Sequence, residues 1–229
     1  MPTMDADADA IVIRGLLPGD VPAACALFAA GMMETIEGGL RSAALRPSLG
    51  AGLGALALAA AHVFATRRGG VAPSTAHAAA AAAVGAAVIL AGWALPRSFA
   101  SEYVEKSLAG DMADPVAYYA APRGAFWVAV DATLGTVVGT VAVEAADAAQ
   151  EDHGWRWKEG DAELRRMSVG PSARGKGVAR RLLAEVRRHC EQHGFKRIVL
   201  STTTMQTNAV RMCALPAAPA AAAVSSPRF

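Results

Sequence analysis

The clearest pattern along the chain is an amphipathic helix predicted from Val178 to His193. Apolar residues recur there at intervals of three and four, which places an apolar stripe on one face and the arginines on the other. Gly194 follows, where a left-handed glycine commonly ends a helix. Arg197 to Ser201 is then an apolar run typical of a buried parallel strand. Helix and strand together indicate a βαβ-like unit.

Shorter runs of β-branched and alternating residues predict the remaining strands. A turn containing Gly135 separates two of them, as in a β-hairpin. Helical patterns begin at Val21 and cover Ser101 to Leu108, whereas 111–123 and the polar stretch 145–160 are predicted as loops. The strands are predicted at Ile11 to Arg14, Ala125 to Val130, Thr136 to Val143 and Glu163 to Val169.

Two long runs contain no charged residue: Pro47 to Thr66 and Val71 to Pro96. Roughly 20 apolar residues are enough to span a bilayer as a helix. The runs therefore predict a two-helix transmembrane hairpin over 47–96. Their high alanine content leaves an Ala-rich linker or amphipathic insert as the alternative, because alanine adds little to insertion.

Composition adds two constraints. The apolar fraction is 53% but much of it is alanine, so the core is smaller than this figure suggests. The net charge of +2 conceals a basic C-terminal half, between Arg156 and Arg197, that suits a polyanionic ligand. Three dispersed cysteines without C-x-x-C spacing support neither a disulfide framework nor a zinc knuckle.

The segment from Arg174 to Ala179, Arg-Gly-Lys-Gly-Val-Ala, lies between a predicted strand and the amphipathic helix. Backbone N–H groups at a helix N-terminus and closely approachable glycines suit a diphosphate. The spacing matches neither the Walker A motif nor the dinucleotide-binding fingerprint. A different diphosphate ligand is therefore indicated.

This segment resembles the GNAT superfamily of acyl-CoA N-acyltransferases. The family signature has Arg or Gln, then Gly three positions later and Gly or Ala two further on, matched by Arg174, Gly177 and Ala179. The likeness covers 126–211, and more faintly 11–37. It implies an α/β (α+β) fold with a mixed central sheet flanked by helices, here interrupted by the hairpin. The insertion is most similar to the camello-like membrane-bound branch, which includes cysteine-conjugate and aspartate N-acetyltransferases.

The resemblance also implies a reaction and its residues. An amine attacks the thioester of acetyl-CoA, with Glu163 as base, directly or through water, and a backbone N–H near Met167 to Val169 polarising the carbonyl. The alternative for Glu163 is a strand-end carboxylate paired with a neighbouring arginine. The acetyl-CoA-binding residues would be Met167, Ser168, Val169, Arg174, Gly175, Lys176, Gly177, Val178, Ala179 and Asn208.

The C-terminal end departs from the family pattern. Asn208 to Met212 fits, but Cys213 stands where the family has the Tyr that protonates the thiolate. The following Ala- and Pro-rich stretch 214–229 is predicted as a disordered tail, so the final strands are missing. Either the chain is truncated, or Cys213 serves as the acid. A non-catalytic relative that binds CoA, or is merely membrane-embedded, is the alternative function.

The domains are then predicted as 1–46, the hairpin 47–96, the core 97–213 and the tail 214–229. Partners are acetyl-CoA, an amine and membrane lipid, on an intracellular membrane such as the endoplasmic reticulum; neither a metal nor nucleic acid is expected. His189 and His193 suit a helix C-terminus better than a metal. Trp155 and Trp157 would line a substrate pocket or anchor in a membrane interface.

Overall fold

The computed structural model describes residues 10–44, 54, 60, 75–147, 151–152, 155–201 and 223–225. Its helices are α1 (Val21–Ala44), α2 (Thr75–Ala109), α3 (Pro115–Tyr118) and α4 (Val178–Gln192), with 3-10 turns at Pro18–Asp20 and Pro171–Ala173. Its strands are β1 (Ile11–Gly15), β2 (Ala125–Asp131), β3 (Thr136–Ala145), β4 (Glu151–Asp152), β5 (Trp155–Arg156), β6 (Asp161–Val169), β7 (Arg197–Ser201) and β8 (Ala223–Ser225).

Six strands form one mixed sheet in the order β1-β2-β3-β6-β7-β8, and β4 pairs with β5 separately. The first four of the six pair antiparallel, whereas β6, β7 and β8 are parallel. A β-strand cannot return parallel to its neighbour through a tight turn, so α4 provides the crossover from β6 to β7. The mixed sheet expected from the resemblance is confirmed.

The chain divides into two compact units: 1–32 with 104–229, and 33–103. In the first unit, successive residues of β2 point to opposite faces of the sheet. Trp127 and Ala129 join the α4 layer, while Phe126 and Val128 join a cluster with Phe28 of α1. The sheet therefore lies between two helical layers, each with its own core.

The described residues of the second unit lie mainly in the later part of α1 and in α2. Leu40 and Ala100 are buried there, and the Arg97 guanidinium lies 3.2 Å from the Glu37 carboxylate. No helix among the described residues combines the length and hydropathy that a membrane span requires. Most of the first uncharged run, 47–66, lies outside the described residues.

Regular structure occurs in a predicted loop and in the predicted tail. In 111–123, Asp114 accepts a 3.0 Å hydrogen bond from the Ala117 N–H and begins the short helix α3. In the predicted disordered tail, β8 pairs in parallel with 199–201. The tail prediction is therefore wrong for Ala223–Ser225. The open edge of β7 offers backbone hydrogen-bond partners to this segment, and amino-acid composition alone does not show that such an edge is nearby.

Candidate functional site

Strand β6 contains one residue more than the facing part of β3. Ala142 lies opposite Arg165 and Thr140 opposite Ser168, so two steps along β3 match three along β6. Arg166 accommodates the extra residue with a φ of +54°, in the left-handed region. A non-glycine residue there costs on the order of 1–3 kcal/mol and persists only where its surroundings hold it. This is a β-bulge.

The bulge reverses which backbone groups of β6 face β3. Before it, the Asp161 carbonyl accepts from the N–H of Ala146, the residue after β3, and the Gly160 carbonyl accepts from the N–H of Lys196, the residue before β7. After it, the Gly170 N–H donates to the Val138 carbonyl of β3 at 2.9 Å. Odd-numbered residues thus face β3 before the bulge and even-numbered ones after it. The amides of Met167 and Val169 consequently turn away from β3.

On the side to which these amides turn, β6 and β7 separate. Their parallel pairing covers only Asp161 to Glu163, opposite Arg197 to Val199. In the part of the chain that the structure describes, β6 from Leu164 onward has no pairing with β7. An extended arm of a ligand can occupy such a gap and form strand-like hydrogen bonds to the exposed backbone.

The glycine-rich loop lies at the end of the same strand. Gly175 and Gly177 have φ values of +76° and +75°, and no neighbouring atom of the described residues lies within 4 Å of a Cβ built on either. Gly177 is the N-cap of α4 and makes no side-chain capping hydrogen bond, since glycine has no side chain. The Arg174 Nε donates to the Val169 carbonyl at 3.1 Å. This exposed loop and helix N-terminus fit a diphosphate.

A close contact between α4 and β3 holds this helix in place. A Cβ on Gly139 would lie 3.0 Å from Val178 and 3.1 Å from Leu182. Val178 is itself 1% exposed, so its side chain is not available to a ligand. The absence of a side chain at Gly139 therefore sets how near the N-terminus of α4 lies to the sheet.

The predicted residues from Met167 to Ala179 form one continuous segment of strand end, loop and helix start. Ser168 lies against α1, since a Cβ on Gly31 would be 3.1 Å from its hydroxyl. Asn208 and Cys213 lie outside the described residues, and their predicted roles stay predictions.

The predicted base, Glu163, is half-buried on β6, at the last pair that β6 forms with β7. It lies opposite Glu144 of β3, whose carboxylate is ion-paired with Arg165. Burial opposes the charge of Arg165, but Glu144 and then Glu163 outweigh it and raise the pKa of this guanidinium. Glu163 therefore has a neighbouring arginine, as the non-catalytic interpretation expects, and lies where the gap begins, as the catalytic one expects.

A buried polar cluster that was not predicted from the sequence lies on the α1 side of the bulge. The Arg166 guanidinium makes two hydrogen bonds to Asp111, of 2.7 and 2.5 Å, and the Tyr119 hydroxyl donates to the same carboxylate. Burial opposes ionisation of Asp111, but these two partners outweigh it and lower its pKa; burial raises the pKa of Tyr119. A second consecutive arginine in an otherwise alternating strand was the available signal.

The other candidates belong to structural contacts. His189 is buried, its Nε2 is 3.1 Å from the Arg123 carbonyl, and its ring stacks on His193 at 3.9 Å. Among the described residues, no three His, Cys, Asp or Glu side chains are grouped to hold a metal. Trp157 is 2% exposed, so its ring is not available at a membrane interface.

A strand displaced by a bulge, a gap beside it and a glycine loop before a helix N-terminus together form a site suited to a diphosphate ligand with an extended arm. The sequence profile of the acetyltransferase (GNAT) family matches residues 93–215. The chain belongs to this family, which confirms the resemblance that the loop motif indicates.

The curated relatives agree with the camello-like branch. N-acetylaspartate synthetase of Homo sapiens is 40% identical over 111 residues, covering 48% of this chain and 33% of that protein. N-acetyltransferase 8 of Mus musculus is 36% identical over 121 residues, covering 52% and 50%. The chain thus spans a third to a half of these relatives. A solved acetyltransferase of Trypanosoma brucei aligns with a TM-score of 0.42 and 12% identity, covering 90% of this chain and 93% of that one.

Proposed function

We propose that the protein is an N-acetyltransferase that moves an acetyl group from acetyl-CoA to a primary amine. The observation that carries the proposal is the continuity of the bulged end of β6, with the amides of Met167 and Val169 turned into the gap, and the loop at Gly175 and Gly177. A diphosphate on the loop would place its pantetheine arm beside these amides.

In this mechanism the amine nitrogen attacks the thioester carbonyl and the C–S bond breaks. Glu163 takes the proton from the amine, directly or through water. The amides of Met167 and Val169 stabilise the developing oxyanion, a kind of contact worth about 10²–10³ in kcat when lost. The departing CoA thiolate takes up a proton; Cys213 is the proposed donor on sequence grounds alone. Most of the acceleration comes from positioning the two reactants.

The acceptor is proposed as the primary amine of a small molecule, with aspartate first among the candidates. Support comes from the identity of the matched stretch to proteins named N-acetylaspartate synthetase. A cysteine conjugate, a polyamine and a protein lysine complete the panel of amines to be tested.

The test is thiol release from acetyl-CoA by the detergent-solubilised full chain, with that panel. Gly177→Glu places a carboxylate beside the proposed diphosphate site, whereas Gly135→Glu makes the same change at another left-handed glycine, in the β2–β3 turn. We expect amine-dependent turnover in the wild type and in Gly135→Glu, and none in Gly177→Glu. A folded wild type that releases no thiol with any amine would favour the non-catalytic alternative.

Membrane attachment through 47–96 is proposed from the two uncharged runs alone. Extraction of isolated membranes with alkaline carbonate separates peripheral from integral proteins. Full-length chain recovered in the supernatant would leave the Ala-rich linker as the better interpretation.

A further inference from the structure

The buried cluster beside the bulge has no assigned role in the reaction, although it touches the residue on which the bulge depends. Arg166 and Asp111 are 3% and 6% exposed at their side chains, and 55 residues separate them in the chain. Asp111 comes from the turn after α2 and Tyr119 from the end of α3. Three separate segments therefore meet at one strand position.

Both ends of Arg166 are anchored. Its guanidinium binds Asp111 through two hydrogen bonds and lies 4.8 Å from the centre of the Phe28 ring. Its backbone carbonyl accepts a buried hydrogen bond of 2.8 Å from the Thr140 hydroxyl. Since a left-handed residue holds its conformation only where the surroundings determine it, these contacts are the ones that keep the bulge in place.

Asp111, Tyr119 and Arg166 together form what we call the clamp, and Tyr119 makes it rigid. Its N–H donates to the Pro115 carbonyl, and its ring packs edge-on against Tyr118 at 4.9 Å and Phe126 at 5.3 Å. Its hydroxyl donates to Asp111 Oδ2, the oxygen that also accepts from the Arg166 Nε, so this carboxylate oxygen is held by two donors. Removal of this hydroxyl alone would loosen the carboxylate and leave the packing intact.

Stability by itself is a weak reason for this arrangement. A buried ion pair must offset the desolvation of both charges, and apolar replacements of similar volume are often at least as stable. The Arg166–Asp111 pair instead fixes geometry, because two hydrogen bonds between a planar guanidinium and a carboxylate set the orientation of both groups.

We propose that Asp111 and Tyr119 are positioning residues for acetyl transfer: they hold Arg166, and so fix the bulge that turns the amides of Met167 and Val169 toward the thioester carbonyl. Neither residue touches the reacting atoms. The inference rests on the proposed function and adds to it residues remote in sequence from the loop motif.

The test compares Tyr119→Phe and Asp111→Asn with the wild type, using the full chain in detergent. Three quantities are measured: kcat with the best amine of the panel, the Kd of CoA, which has no acetyl carbonyl, and the infrared stretch of ¹³C-labelled acetyl-CoA in the complex. We expect kcat to fall between about five- and a hundredfold. The Kd of CoA should stay within about twofold, since the loop is untouched. The carbonyl stretch, shifted to lower frequency in the wild type, should return toward its value in solution.

Val186→Ala is the control for general loss of stability, because Val186 is fully buried on the α4 side of the sheet. It should lower the melting temperature and leave the carbonyl stretch at the wild-type frequency. If folded Tyr119→Phe and Asp111→Asn both keep the wild-type kcat and carbonyl frequency, or if Val186→Ala reproduces their losses, the positioning role is overturned. Should Asp111→Asn not fold, Tyr119→Phe decides. A wild type without turnover and without a carbonyl shift would instead remove the proposed function itself, and this inference with it.

Discussion

Gly139→Ala tests how closely the helix that begins the ligand site must approach the sheet. The new Cβ would lie 3.0 Å from a Val178 methyl, 3.1 Å from Leu182 and 3.2 Å from the Ala129 Cβ. Each contact is shorter than an ordinary van der Waals approach, so α4 or its side chains must move by a few tenths of an ångström. Overpacking of a core costs about 1–3 kcal/mol. For a domain of this size that corresponds to a fall in melting temperature of roughly 3–10 °C.

The residues that must move, Val178 and Leu182, belong to the first two turns of α4, next to the proposed diphosphate site. The variant should therefore also bind CoA more weakly. Thermal unfolding and calorimetric titration with CoA measure the two effects. Adding Val178→Ala removes the nearest clashing methyl, and the double variant should recover part of both losses, with a favourable coupling of at least about 0.5 kcal/mol. Independent, additive effects of the two substitutions would refute the steric reasoning.

Gly38→Ala in α1 is the matched control, because it is the same chemical change at a site where, among the described residues beyond its own helix backbone and chain neighbours, no atom lies within 4 Å of the new Cβ. Alanine is favoured over glycine in a helix interior by about 0.8–1 kcal/mol. We therefore expect a small rise in melting temperature and an unchanged Kd for CoA. A fall like that of Gly139→Ala would show that loss of glycine flexibility, rather than overpacking, explains both results.

Two further perturbations test titratable groups. Glu163→Gln should lower kcat/KM by about 10²–10⁴-fold near neutral pH, and by less as pH rises and the amine loses its proton unaided. The control is Glu159→Gln, at an exposed position. An unchanged rate in Glu163→Gln would leave Glu163 as a structural carboxylate. Burial lowers the pKa of His189, so below about pH 6.5 the unfolded chain binds more protons than the folded one and acidification destabilises the fold. Denaturant titrations at several pH values should show this loss, and His189→Gln should reduce it; an equal slope in both proteins would contradict the assignment to His189.

Local periodicity was sufficient for much of the secondary structure. The predicted strand 197–201 has the observed bounds, and α4 ends one residue before the predicted His193. The turn before β3 contains Gly135 as expected, with a φ of +66°, and Gly194 follows α4 in the expected left-handed conformation, with a φ of +68°. These features depend on neighbours a few residues apart, which a single sequence contains.

The loop motif likewise located the ligand segment, since its glycines and helix N-terminus are contiguous in the chain. The bulge was not predictable in this way, because it is a mismatch between two strands and is defined only by their pairing. The clamp of Asp111, Tyr119 and Arg166 joins segments 55 residues apart at its widest, where no spacing rule applies. Strand β8 requires an open edge to pair with, and Ala- and Pro-rich composition alone indicates coil.

The sequence by itself therefore determined most of the elements, the family and the segment that would bind a diphosphate, because each is a property of residues near one another in the chain. The tertiary structure decided which amides of β6 turn into the gap beside β7, and which buried side chains hold them there. Those choices depend on pairing register and on burial, which arise only when distant segments pack together.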